Sequence, residues 1–364
     1  MRLITTHMKN NILITTQVLD VQDPLLGFFT EWVREFAKQY DHVTVICLKK
    51  GTYALPDNVK VLSLGKEQGV GRWGYVQRFF TYIWRERKNY DAVFVHMNQI
   101  YVILGGLLWR MMGKKISLWY AHGHVPFSLR IATLLTHMCF ASTPSGFKLK
   151  THKLKIVGQG IDVNFFAPID AVRNKAPHEI DFRLLTVGRI SDVKRIKESI
   201  EIVERLIAET ATKNIQYNII GIPGLGIQRE YYKECVDMVK EKGLGKHIHF
   251  LGGMNQIGIL PELQQTDVFL NISLTGSLDK AILEAMSVGV IVVSSNESFV
   301  KLLPPHLEWL GVRSDLSNVK ETVQKIENMS NEERGIIGQD LRGIVVRDHQ
   351  LAGLVGNIKR ELEG

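Results

Sequence analysis

Thr275-Gly276-Ser277-Leu278-Asp279-Lys280 is a small polar turn between an apolar run and an amphipathic stretch, and Glu284 follows one helical turn later. Such a turn opens a helix. The first N–H groups of a helix have no internal partner and carry the positive end of its dipole, so they seat an anion or a polar ligand. Lys280 and Glu284 share a helical face, and a carboxylate there can accept from two hydroxyls at once. Backbone that seeks phosphate beside a carboxylate that seeks a diol suggests a sugar nucleotide.

Other loops carry related chemistry. Gly188-Arg189-Ile190-Ser191-Asp192-Val193-Lys194 sets a planar guanidinium and a point charge five residues apart, a pair suited to a diphosphate. The same residues also fit a solvated helix start. Gly221-Ile222-Pro223-Gly224-Leu225-Gly226 lets backbone approach a ligand or makes a plain turn, and its spacing is not the dinucleotide fingerprint Gly-x-Gly-x-x-Gly. In Asp23-Pro24-Leu25-Leu26-Gly27, Gly27 admits a phosphate or a donor sugar, or simply begins a helix. In Leu118-Trp119-Tyr120-Ala121-His122-Gly123-His124 a strand should end at His122, whose imidazole can move a proton near neutrality. A structural histidine fits there too, and His124 competes for the role.

Strands must hold these loops at one edge. β-branched runs predict strands at Ile12 to Thr16, Val43 to Leu48, Val59 to Leu64, Ala92 to His96, Ile116 to Ala121 and Phe140 to Thr143 in the first half. The second half repeats the pattern at Leu184 to Val187, Tyr217 to Ile220, Ile248 to Leu251, Val268 to Ile272 and Val290 to Ser294. Helical stretches between them give βαβ order, hence α/β domains with parallel sheets covered on both faces. Ligands of such sheets sit beyond the carboxyl ends of the strands, which is where the loops above belong. Pro168 to Pro177, with mixed charge and no period, reads as a linker.

With 364 residues, the chain has room for about two domains at roughly 150 residues each, and two domains make a cleft possible. Its 45 basic residues against 37 acidic ones, and a pI near 9.2, favour an anionic partner: nucleic acid, membrane surface or phosphorylated substrate. The basic residues are dispersed and carry no reading motif, which argues against nucleic acid. Cys47, Cys139 and Cys235 are too few and scattered for a disulfide framework or zinc cluster, so a reducing compartment is expected. The start, Met1-Arg2-Leu3-Ile4-Thr5-Thr6-His7, lacks a secretory core, and the longest apolar stretch, Tyr101 to Trp109, falls short of the roughly 20 residues that span a bilayer. The expectation is a cytoplasmic protein.

Taken in order, these loops resemble the family-4 glycosyltransferases of GT-B fold over nearly the whole chain. Val157-Gly158-Gln159-Gly160-Ile161-Asp162 with Phe166 and Pro168 looks like that family's connector. Gly188-Arg189 with Lys194 is similar to its phosphate clamp, and Leu283-Glu284-Ala285-Met286 with Gly289 to its donor-binding helix. Asp348-His349 and the following residues resemble the segment that crosses back to the first domain. The resemblance implies two Rossmann-like doubly wound domains facing across a cleft: 1–168 on the acceptor side, 169–346 for the nucleotide sugar, and a helix over 347–364 packing toward the first domain. It implies sugar transfer from a UDP- or GDP-sugar to a glycan or lipid-linked acceptor, with retention and no bound metal. Arg189 and Lys194 would neutralise the diphosphate, and Glu284 would hold the ribose. Gly276, Ser277 and Leu278 would line the sugar pocket with Gly27 opposite across the cleft, and Gly221 would belong to the donor-binding set. His122 would meet the donor sugar. Residues Gly252 to Met254 would lie near the nucleobase.

One departure is plain. The family's paired glutamates stand eight positions apart, and eight before Glu284 is Gly276. Asp279 and Lys280 are placed to take over the hydroxyl contacts, or Asp279 serves only the first turn of the helix. The loss leaves open a catalytically silent binding protein of the same fold. A nicotinamide oxidoreductase would also suit two α/β domains, but it wants the dinucleotide fingerprint after the first strand.

Arg72 to Lys88 mixes basic and aromatic residues at helical spacing. Such a helix can lie on an anionic membrane, and an ordinary core-facing helix with a basic outer face fits the same residues. The first reading would put a lipid-linked acceptor at the inner membrane face.

Overall fold

The computed structural model describes residues 10–169, 182–209, 214–224 and 226–364. Residues 1–9, on which the reading of the amino terminus falls, and most of the linker expected at Pro168 to Pro177 lie outside them.

The chain divides into two units, one running through Gly160 and completed by Leu351–Gly364, the other Ile161–Gln350. The first is built from β1 (Asn11–Leu19), α1 (Phe29–Gln39), β2 (His42–Lys50), β3 (Val59–Ser63), α2 (Arg72–Arg85), β4 (Ala92–His96), α3 (Ile100–Met111), β5 (Lys115–Trp119), α4 (Phe127–Leu135), β6 (Met138–Ala141) and β7 (Leu154–Ile156). All seven strands are parallel, in the order β3-β2-β1-β4-β5-β6-β7. Side chains alternate across this sheet. Ile12, Ile14, Val43 and Phe94 face one core, and Leu13, Ile46, Val93 and Ile116 face the other, so the strands read as continuous apolar runs.

In the second unit β8 (Phe182–Val187), α5 (Ile196–Glu209), β9 (Ile215–Ile220), α6 (Ile227–Glu241), β10 (Ile248–Gly252), α7 (Gln256–Gln264), β11 (Val268–Asn271), α8 (Lys280–Val288) and β12 (Ile291–Ser294) form a parallel sheet of order β10-β9-β8-β11-β12. α9 (Glu297–Val300), α10 (Val319–Glu327) and α11 (Asn331–Asp348) follow, and α12 (Leu351–Glu363) closes the first unit by packing on α1. Each sheet is doubly wound, with chain order reversing between β1 and β4 in the first and between β8 and β11 in the second. Those reversals open crevices at the carboxyl ends of the strands. β8 and β11 pair only through Leu184–Leu185 against Val268–Phe269. Beyond that, Thr186 Oγ1 donates to Leu270 O at 2.6 Å.

Each strand expected from the sequence is present, with ends shifted by a few residues. β7 was not expected: three residues with Lys155 at their centre, directly after Lys153, carry too little apolar signal. Nor does a helix separate β2 from β3, where residues 51–58 cross as loop.

The units divide at Gly160 and Gln350, whereas the sequence reading divides the chain at Pro168 and Val346. Residues 161–168 are fastened to the second unit. Ile161 N donates to His349 O at 2.8 Å, Ser287 Oγ to Phe166 O at 2.7 Å, and Arg342 to the carbonyls of Val163 and Phe166, both at 3.1 Å. Phe166 itself is fully buried in the second core.

Candidate functional site

The loops after β8 and β9 touch through glycine. A Cβ on Gly221, whose φ is +156°, would come within 1.8 Å of Gly188 O, so only glycine permits the contact. Gly188 N donates to Ile220 O at 2.9 Å and Gly221 N to Gly252 O at 2.8 Å, which levels the ends of β8, β9 and β10. Arg189 leaves this junction exposed and makes no hydrogen bond or ion pair among the described residues, its stem passing over Gly224.

Lys194, at the end of a single 3-10 turn, reaches across the reversal to Asp279, Nζ to Oδ2 2.6 Å, with both side chains largely buried. Asp279 Oδ2 also accepts from Asn271 Nδ2 at 2.9 Å, Ser273 Oγ at 3.1 Å and Thr275 Oγ1 at 3.3 Å. Asp279 is the N-cap residue of α8, yet its side chain bonds none of that helix's first amides. Leu274 N donates to Val193 O at 2.9 Å, so the two loops are also laced by backbone.

The turn that follows is fixed from behind. Asn296 Nδ2 donates to Thr275 O at 2.7 Å and Ser277 O at 2.8 Å, and Ser298 Oγ to Gly276 O at 2.9 Å. With these carbonyls held, the amides of Gly276, Ser277 and Leu278 donate to no group among the described residues, an arrangement that waits for an acceptor. One turn into α8, Lys280 Nζ is hydrogen-bonded to Glu284 Oε1, which also accepts from Gln256 Nε2 at 2.8 Å. Glu284 Oε2 receives no donor among the described residues. Exposed Val193, Ile222 and Leu274 rim this polar centre, and Gly253 lies against Ile222.

Arg189, Lys194, Gly221, Gly276, Ser277, Leu278, Asp279, Lys280 and Glu284 are thus gathered at the carboxyl end of the second sheet. Asn271, Gln256, Asn296 and Ser298, which position them, were not expected. Their signal in the sequence is only a scatter of short polar residues just after strands or at helix starts.

Gly27 and His122 belong to the first unit, where both follow strand ends. A Cβ on Gly27 would meet Asp23 O at 2.6 Å, so the turn into α1 admits nothing larger. β5 ends at Trp119 rather than at His122, because the chain leaves the sheet there and His122 pairs singly with Phe147. His122 and His124 are both exposed, and the Tyr120 hydroxyl donates to His124 O at 3.0 Å.

A different histidine is enclosed at the reversal of the first sheet. His96 ends β4, stacks on Phe29 with ring centroids 4.0 Å apart, and has Nδ1 3.3 Å from Thr16 Oγ1. Burial pushes its pKa down to about 3. Met97 follows at φ 62°, a left-handed conformation that non-glycine residues seldom adopt. All three cysteines are buried, and burial pushes the Cys235 thiol up to about 11, so it is no ready nucleophile. Among the described residues no helix is long and apolar enough to cross a membrane.

Two doubly wound parallel-sheet units, the second with a polar centre at its reversal, have the GT-B fold. Residues 169–339 match the family described as "Glycosyl transferases group 1". No curated protein is matched by this chain. Among solved structures, the chain is similar to Anabaena HepE in complex with UDP and glucose, at 16% identity, 98% of this chain and 100% of that one, and TM-score 0.76. It is also similar to sucrose-phosphate synthase from Thermosynechococcus elongatus, at 14% identity, 97% and 99% coverage and TM-score 0.73. A glycosyltransferase from Rickettsia africae aligns at 12% identity, 98% and 99% coverage and TM-score 0.72.

Proposed function

We propose that the protein transfers a sugar from a UDP- or GDP-sugar to a glycan or lipid-linked acceptor, in the manner of family-4 glycosyltransferases, with retention at the anomeric carbon and no bound metal. The observation that carries this reading is the unbonded run of amides at Gly276 to Leu278, flanked by Lys194 on one side and Glu284 on the other. HepE, solved with UDP and glucose, supports a nucleotide-sugar donor through likeness of fold.

In this reading Arg189 and Lys194 stabilise the diphosphate as it leaves, supplying charge that a metal ion supplies in other phosphoryl chemistry. Glu284 Oε2 takes the ribose hydroxyls, and the 276–278 amides take the sugar. Exposed Val193, Ile222 and Leu274 offer apolar contact to sugar or base, near Gly252 to Met254. From the first unit, Gly27 admits the donor and His122 meets the sugar. The protein acts in the cytoplasm, at the inner membrane face where the acceptor is lipid-linked.

Glu284→Ala and Arg189→Ala should each abolish transfer from a nucleotide sugar while the circular dichroism spectrum and melting temperature stay close to those of the parent. Full transfer by either folded variant would contradict the assignment. The product's anomeric configuration by NMR tests retention, and undiminished transfer in EDTA tests metal independence.

Gly276, where the resemblance calls for an acid, favours a second reading: donor binding without transfer. Tight donor binding with no turnover over a panel of acceptors would select it.

A further inference from the structure

The two faces of the first unit's sheet are covered by unlike layers. α1 and α12 balance their charges, Glu31 and Glu35 against Arg34 and Lys38, Glu361 and Glu363 against Lys359 and Arg360. They present no large exposed apolar side chain. α2, α3 and α4, on the other face, hold Arg72, Arg78, Arg85, Arg110 and Arg130 and no acidic residue.

The outward surfaces of these three helices are apolar at one spacing. On α2, Trp73, Phe80 and Trp84 stand at i, i+7 and i+11, and on α3 Ile100, Leu107 and Met111 repeat that spacing. On α4, Phe127 and Leu134 stand at i and i+7. These are not core residues leaking outward, since Trp73 is 89% exposed, Met111 77% and Phe127 75%. The inward faces are satisfied by other residues: Phe79 and Ile83 of α2, Tyr101, Val102 and Trp109 of α3, and Leu129 and Ala132 of α4. Phe79 packs edge-on against Trp109 with centroids 5.7 Å apart, and α3 packs along α4, so the three helices adjoin on one face of the sheet and each carries its stripe outward.

Cations surround it. Arg87 lies over the Trp84 ring, 4.4 Å from its centroid, and Arg110 Nε donates to Leu135 O at 2.7 Å at the end of α4. The acid closest in sequence to α2, Glu86, is buried and pairs with Lys60 and Arg85, which leaves Arg72, Arg78, Arg87, Arg110 and Arg130 without an acidic partner among the described residues. Apolar side chains with interfacial tryptophans and a cationic surround, free of carboxylates, complement acyl chains beneath anionic headgroups.

We propose that the outer face of α2, α3 and α4 docks on an anionic lipid bilayer. The face extends the basic-aromatic pattern of Arg72 to Lys88 to two neighbouring helices whose sequences carry little charge. It deepens the acceptor half of the proposed function, yet it is read without nucleotide, so its failure leaves sugar transfer untouched.

Flotation of the full chain with vesicles of phosphatidylcholine, with and without phosphatidylglycerol, tests it. The protein should float with the anionic vesicles at low salt, dissociate at high salt, and stay behind with phosphatidylcholine alone. Trp73→Ser/Leu107→Ser/Met111→Ser, all exposed positions, should lower partitioning about tenfold or more with an unchanged melting temperature. Absence of flotation, equal flotation on neutral vesicles, or undiminished flotation of the folded variant would overturn the proposal. So would a lipid-free dimer that the same substitutions dissociate, since a second copy would then cover the face.

Discussion

Lys194 and Asp279, 85 residues apart in sequence, meet at 2.6 Å across the reversal of the second sheet. The contact joins the residue assigned to the diphosphate with the residue that stands near the missing acid. We propose on this contact that Asp279 is a positioning residue that acts through Lys194, its carboxylate being already engaged by that ammonium.

Lys194→Met should cut donor turnover by about 10²–10³-fold, the range for removing one group that stabilises transition-state charge. Asp279→Asn should cost less, and the double variant should lose far less than the product of the two, because each single change already breaks the pair. Donor binding and turnover in the four proteins check this, and fully multiplicative losses would separate the two residues.

Gly276→Glu should leave the fold intact. A Cβ there meets nothing within 4 Å, and its φ lies outside the range reserved to glycine. The variant restores the carboxylate the resemblance expects, eight residues before Glu284, and should change affinity for the sugar nucleotide more than for the nucleotide alone. Titration with both ligands reads the difference, and equal effects on the two would remove Gly276 from the sugar pocket.

Gly221→Ala is the opposite case. Its Cβ would overlap Gly188 O at 1.8 Å, so the loops after β8 and β9 must part. A loss of about 2–4 kcal/mol is expected from the clash and backbone strain together. Urea unfolding measures it, and a loss below about 0.5 kcal/mol would contradict the packed junction.

His96 should make stability depend on pH. Burial lowers its folded pKa to about 3, so between about 3 and the unfolded value near 6.5 the unfolded chain binds the extra proton. Its contribution is complete above pH 6.5 and is lost as pH falls, about 2 kcal/mol by pH 5. Burial also lowers His349, which adds in the same direction. His96→Phe should unfold with a shallower slope between pH 5 and 7 than the parent. Equal slopes would mean that His96 is not enclosed.

Much of this was legible in the chain because parallel strands buried on both faces carry dense β-branched runs, as in Val43 to Leu48 and Val268 to Ile272. Glycine and charge at strand ends then marked the loops around Arg189 and Gly276. The positioning layer was not legible. Asn296 and Ser298 act on carbonyls about twenty residues upstream, and nothing in their own neighbourhood signals a bond to a distant turn. The partner of Asp279 was hidden for the same reason, since the nearest rule in sequence is helix capping, and the structure turns the carboxylate to Lys194 instead. At the first reversal, the sequence reading took His96 only as a strand end, because an enclosed histidine and a half-exposed one look alike in a row of apolar residues.

Isothermal titration of the protein and of Lys194→Met with UDP, GDP and their sugars tests the central claim most directly. The account predicts that one nucleoside diphosphate series binds the parent at a single site, and that Lys194→Met binds it at least about tenfold more weakly, the loss of one charge-assisted contact. No binding by any nucleoside diphosphate, or equal binding by the folded variant, would contradict it.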